Sequence, residues 1–139
     1  MADITVVQST VVAANPQTVK ASGISGEAIQ IGQAVYADPA DNYRIKKAIA
    51  TSATHTSNLV GISLSNTQGA NQPITYATGG DVTFGTGLTS VVVYAISHAN
   101  AGGIEAASAV GTGNFVGVLG VGTSTSNMRV SLIPTSAQI

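Results

Sequence analysis

The chain contains no cysteine, which removes disulfides, a thiol nucleophile and every thiolate metal site from consideration. Tryptophan is missing too, and aromatic residues make up only 4 % of the 139 residues, so there is no obvious platform for stacking sugars or bases. Charge is scarce: Lys, Arg, Asp and Glu together are 8 % of the chain, against about 25 % in an ordinary soluble domain. Five basic and six acidic residues leave a net charge of −1. So few cations cannot displace a row of phosphate counterions, and nucleic acid is not an expected partner. No run approaches the roughly 18 consecutive apolar residues of a membrane-spanning helix, and no membrane partner is expected. Met1-Ala2-Asp3-Ile4 carries an acid where a secretory signal has basic residues, which favours synthesis in the cytosol.

Apolar residues are nevertheless 44 % of the chain, and the mean hydropathy is +0.32. The polar surface must therefore come from Ser, Thr, Asn and Gln, although surface charge is what normally keeps soluble molecules apart. Such a chain reads either as a neutral β-protein or as one whose surface is covered by other copies or another protein. Its length suits one domain, large enough to bury roughly two-thirds of its unfolded surface.

The densest apolar run is Val91-Val92-Val93-Tyr94-Ala95-Ile96, rich in β-branched residues, which predicts a strand buried on both faces. Asn100-Ala101-Gly102-Gly103 supplies a sharp reversal, Gly111-Thr112-Gly113 another, and the segment 115–121 returns as a second buried strand. Further strands are expected at 27–31 and 33–36, split by Gly32, and at 58–64, 72–77, 81–84 and 128–133; in 43–49, Ile45, Ala48 and Ile49 fall at helical spacing, but the β-rich context favours a strand. Gly23 with Gly26, Pro39 to Asn42, and Gly79-Gly80 read as turns, and Pro73 places its strand at an edge or at a strand start. Ile4 to Gln8 and Thr10 to Val12 are strand-prone. Residues 1–21 form either a first strand or an extended arm lying on a neighbour, ahead of a single β domain at 22–139. In the arm reading, Ile4, Val6, Val7, Val11 and Val12 are the candidate contact residues. Ile104, Ala107 and Val110 are spaced for a turn or two of helix. Short strands with turns every eight to twelve residues indicate an all-β fold, a small barrel or sandwich with glycine-rich turns and at most one short helix.

Chemistry is sparse. His55 and His98 are isolated in the sequence; a metal would require them to meet near a carboxylate such as Asp81 or Glu105, and more often such histidines are surface or loop residues. Asp38 and Asp41 flank a turn, where acids cap backbone amides, and they lack the ligand series of a calcium loop. The acids form no close pair suited to glycoside chemistry, no serine sits in a Gly-x-Ser-x-Gly elbow, and Gly111-Thr112-Gly113 lacks the third glycine of a dinucleotide loop. Arg44, Lys46 and Lys47 are the one charge cluster. They either dock on an acidic partner or protect a solvated strand edge from aggregation. No enzyme activity, metal or cofactor is expected.

Gly26-Glu27-Ala28-Ile29-Gln30-Ile31-Gly32-Gln33-Ala34-Val35-Tyr36 is followed by Leu59-Val60-Gly61-Ile62-Ser63-Leu64 and Gly79-Gly80-Asp81-Val82. Then come Gly87-Leu88-Thr89, Val93-Tyr94, Gly102-Gly103-Ile104 and Phe115-Val116-Gly117-Val118-Leu119-Gly120-Val121. This order resembles the small head decoration (capsid cement) proteins of tailed bacteriophages over about Ser22 to Ile133. Ser90 stands where that pattern has glycine, and the segment before Ser22 has no counterpart in it. The resemblance implies a β-barrel or sandwich that assembles as a homotrimer on the outer capsid surface of the virion. There it would bridge major capsid protein subunits and stiffen the shell, with no catalytic residue. A tail, fibre or base-plate β-domain that reads a host surface is the alternative expectation.

Overall fold

The computed structural model describes residues 3, 4, 6, 11–13 and 18–139. Among them the chain forms ten strands: β1 (Val12–Ala13), β2 (Val19–Ile24), β3 (Ala34–Asp38), β4 (Arg44–Lys47), β5 (Leu59–Ser63), β6 (Pro73–Thr83), β7 (Val93–Ile96), β8 (Ile104–Ala106), β9 (Val118–Gly122) and β10 (Asn127–Ile133). One short helix, α1 (Ala53–Ser57), and 3-10 turns at Pro39–Asp41 and Ala107–Ala109 complete the set. The strands build one curled antiparallel sheet in the order β4-β3-β5-β6-β10-β9-β7-β8, with β1 and β2 also paired to β6. The fold is all-β and barrel-like, as the strand and turn spacing predicts.

Strand β6 is the axis. Along its first half it pairs with β2 (Ile24 opposite Pro73, Ala21 opposite Tyr76) and with β5 (Ile62 opposite Ala77). Along its second half it pairs with β1 (Val12 opposite Thr83) and β10 (Met128 opposite Val82). Pro73 is its first residue, where a missing N–H costs no ladder bond, so the proline marks a strand start at the centre of the sheet rather than an edge. Gly79-Gly80 is not the expected turn. The strand runs through it; the register against β2 shifts between Ala77 and Gly79, so Thr78 is the extra residue of a bulge inside a continuous strand, and Gly80 beyond it takes φ 78°. Gly61 in β5 has φ 151°, and a Cβ there would collide with the Ala77 carbonyl oxygen, so the close β5–β6 approach depends on the missing side chain.

The two ends of the curled sheet are stitched by the segment that follows β4. Gly102 N–H donates to Ala48 O (2.8 Å), Ala50 N–H to Ser97 O (2.8 Å), and Ala34 N–H to Gly102 O (2.9 Å). Inside lies the main core, with Phe84, Ile96, Ile104, Leu119 and Met128 all nearly inaccessible to solvent. A second, smaller core of Ile29, Val35, Ile45, Ile74 and Tyr76 lies against Ala21 of β2. Gly23 belongs to β2 rather than to a turn; a Cβ there would press on Ile45, so the glycine lets β2 cross this second core.

Several expected strands are redrawn by the same packing. The run 91–96 is not buried throughout: Val91 has φ 68° and is 82 % exposed, Val93 is 44 % exposed, and only Tyr94, Ala95 and Ile96 are buried. Val91 N–H donates to Gly122 O where β9 ends, so the chain is still turning there, and β7 begins two residues later. Segment 115–121 is strand only from Val118. Phe115 N–H goes to Ala50 O, outside any ladder. Residues 27–31 hold one bridge, Ile29 to Thr67, before Gly32 turns at φ 89°. Residues 104–106 are strand, with a single 3-10 turn after them, and the one helix is instead the segment that carries His55. Strands β4, β5 and β10 lie where the pattern places them, with Met128 and Val130 inward and Arg129 outward.

Ile96→Ala should destabilise the fold by about 3 kcal/mol, whereas Val93→Ala should cost less than about 1 kcal/mol, measured by urea unfolding. Gly61→Ala, which adds a clash with Ala77 O at positive φ, should cost about 3 kcal/mol or more; Gly69→Ala, with open space around it and no positive φ, should cost much less.

Candidate functional site

Most of the chain's charge gathers on one hairpin. Asp38 ends β3 and caps the turn that follows, its Oδ1 accepting the Ala40 N–H (2.9 Å). Asn42 (φ 55°) and Tyr43 (φ 59°) then reverse the chain, and Tyr43 N–H donates to Asp38 O. The resulting register sets Lys46 opposite Tyr36 and Arg44 opposite Asp38. Lys46 Nζ donates to Asp38 Oδ2 (2.8 Å) and pairs with Asp41 Oδ2 (3.1 Å); Arg44 Nη1 reaches Asp41 Oδ1 (3.2 Å), and its Nε donates to Asn71 Oδ1 (3.0 Å). Hydrogen bonds from Lys46 and Ala40 hold the Asp38 carboxyl below the usual carboxylate range, and those same acids hold Lys46 above the usual lysine range. Glu27 Oε2 accepts the Lys47 backbone N–H (2.8 Å). Of the three expected docking cations, Arg44 and Lys46 are thus neutralised by the chain's own acids, and Lys47 makes no ion pair among the described residues.

The two histidines lie in separate settings. His55 sits in the middle of α1 with its ring stacked on Tyr36 (centroids 3.9 Å apart, planes 21° apart), and its Nδ1 accepts the Ile49 N–H (3.1 Å). Burial pushes its imidazole below the ordinary value, against the pull of Asp38 and Glu27. His98 meets Glu105 instead. The Glu105 side chain is fully buried; its Oε1 accepts the His98 backbone N–H (3.0 Å) and lies 2.6 Å from His98 Nδ1. Glu105 Oε2 has no hydrogen-bond partner among the described residues. A carboxylate that orients an imidazole is half of a general-base arrangement, but no hydroxyl hydrogen-bonds the outer nitrogen of His98 among the described residues. The pair pins the β7–β8 loop to β8. Asp81 pairs with Arg129 (3.1 Å), away from both histidines' partners, and no group of three or more potential metal-ligating side chains occurs among the described residues.

The N-terminal candidates divide. Ile4 N–H donates to Ile104 O (2.9 Å) along the outer edge of β8, and both Ile4 and Val6 pack against the main core. Val11 is 2 % exposed and belongs to that core, whereas Val12 is half exposed on β1. Val7 lies outside the described residues. Asp3 accepts the Asn100 side-chain N–H (3.0 Å), and an open cleft of about 210 Å³ runs beside it between Gln30, Gln33 and Gly102. Tyr36 and Glu27, which complete the charged cluster, were not legible as site residues. Only the β3–β4 register and the turn before β3 bring them there, and no local spacing signals it. Comparison with protein-family models, curated proteins and solved structures finds no match.

The lowered Asp38 carboxyl stabilises the fold fully above the ordinary carboxylate value of about 4, and that contribution is lost as pH falls through its depressed native value. Asp38→Asn should therefore flatten the acid limb of a melting-temperature profile below about pH 4 while leaving the fold intact at neutral pH.

Proposed function

We propose that the protein is a structural virion component, a decoration protein that stabilises the outer surface of a phage capsid. In this reading it acts as a homotrimer and bridges major capsid protein subunits. The observation that carries this reading is the uneven spread of charge, which leaves two long uncharged stretches with valines exposed on them. Glu27, Asp38, Asp41, Arg44, Lys46, Lys47 and His55 all sit on or against the β3–β4 hairpin and are more than half of the chain's ionisable Asp, Glu, Lys, Arg and His residues. No charged residue occurs between Asp81 and His98 or between Glu105 and Arg129. Those two stretches supply β7, β9 and the loops around them, and they carry the exposed Val91 and Val93, the latter opposite Val121.

An uncharged surface with exposed valines gains by being covered, and the charged hairpin then serves as the face left in water. Lattice assembly suits such a surface, because many modest contacts repeated over a shell add through multivalency. This reading assigns no catalytic step to the chain, and the His98–Glu105 pair serves as a loop tie.

Cosedimentation with expanded, undecorated heads should show saturable binding that unexpanded procapsids do not, and sedimentation velocity should give a stable oligomer. A strictly monomeric protein that binds neither shell would overturn the proposal. Val93→Arg places a charge at an exposed position, so it should leave the melting temperature nearly unchanged while weakening assembly roughly tenfold or more.

A further inference from the structure

We propose that His55 is an acid-sensitive latch on the seam that closes the barrel. The seam is the segment 48–50, and its backbone is bonded in every direction. Ala48 N–H donates to Ala34 O (3.0 Å), Gly102 N–H to Ala48 O (2.8 Å), Ala50 N–H to Ser97 O (2.8 Å) and Phe115 N–H to Ala50 O (2.7 Å). These bonds join the β3 end of the sheet to the β7–β8 loop and to the chain before β9. In the middle stands Ile49, whose N–H donates to a side chain, His55 Nδ1 (3.1 Å).

That bond exists in one protonation state. A nitrogen that accepts an N–H carries no proton, so the ring is neutral with its hydrogen on Nε2. The imidazolium is a donor at both nitrogens; its Nδ1–H would face the Ile49 N–H, and the bond is lost. The groups facing the ring are Tyr36 and Asp38 of β3, Lys46 of β4 and Glu27 from the segment before β3. Asp38 and Glu27 favour the cation and Lys46 opposes it, but burial is the largest influence and favours the neutral ring. The native value therefore lies below that of a free histidine. Above about pH 6.5 both closed and open forms are neutral and the latch holds; below it the open form takes up the proton first. Each pH unit then favours opening by up to about tenfold, until the native ring itself titrates.

The test is amide hydrogen exchange followed by NMR between pH 7.5 and pH 5, corrected for intrinsic rates. Exchange at Ile49, Ala50 and Gly102 should accelerate by up to about 30-fold relative to central-strand amides such as Ile62. His55→Asn offers an acceptor that does not titrate and should abolish the acceleration, whereas His98→Asn should keep it. Uniform exchange in the unaltered protein, or acceleration that survives His55→Asn, would overturn the proposal. Should His55→Asn fail to fold, the unaltered protein still decides. Coincident titration of the His55 ring protons and the Ile49 amide supports the latch, and an Ile49 amide that ignores the ring titration refutes it.

Discussion

Strand β6 depends on being shared. Its eleven residues offer backbone groups on two edges, and four strands take them up, two against each half. A buried backbone N–H or C=O without a partner costs about as much as a lost hydrogen bond, so a strand this long is stable at the centre only if neighbours cover it throughout. The bulge at Thr78, just before Gly79-Gly80, allows that. It lets one strand change direction without breaking, so the β2–β5 side and the β1–β10 side belong to one sheet rather than two. The rest of the architecture follows: the sheet curls, its ends approach, and segment 48–50 can bond to the β7–β8 loop.

The charged groups are arranged by the same economy of space. The barrel interior accepts one ionisable carboxylate, Glu105, and ties it to His98; the other acids sit on the outer hairpin or the rim, each with a donor of its own. Because Asp38 and Asp41 divide Lys46 and Arg44 between them, the hairpin presents a nearly neutral network rather than a basic patch. Ion pairs exposed to this degree contribute little stability individually. Their effect is to hold the tight turn through Asn42 and Tyr43, both in left-handed geometry, in a single conformation.

Much of the fold is legible locally. The alternation of Met128, Val130 and their polar neighbours locates β10, and the glycine within 59–64 locates β5. What was not legible is non-local. Gly79-Gly80 reads as a turn because a glycine pair usually is one; only the partners on both sides of β6 hold it inside a continuous strand. Val91 to Ile96 reads as one buried strand because all six residues are apolar, and where β9 stops decides that the first two belong to a turn. The site suffers more. The His98–Glu105 contact needs the β7–β8 hairpin, and His55 meets Ile49 only because α1 folds back on β3. Neither distance is encoded in spacing along the chain.

Sharing β6 among four strands also has a consequence for synthesis. Its partners span Val12 to Ser131, so one edge of its second half stays uncovered until nearly the whole β domain has left the ribosome. Folding must then close several long loops at once, which makes it slow compared with a chain of local hairpins. Until β10 arrives, β6 exposes the edge from Gly79 to Thr83, the kind of template on which unfinished chains pair with one another.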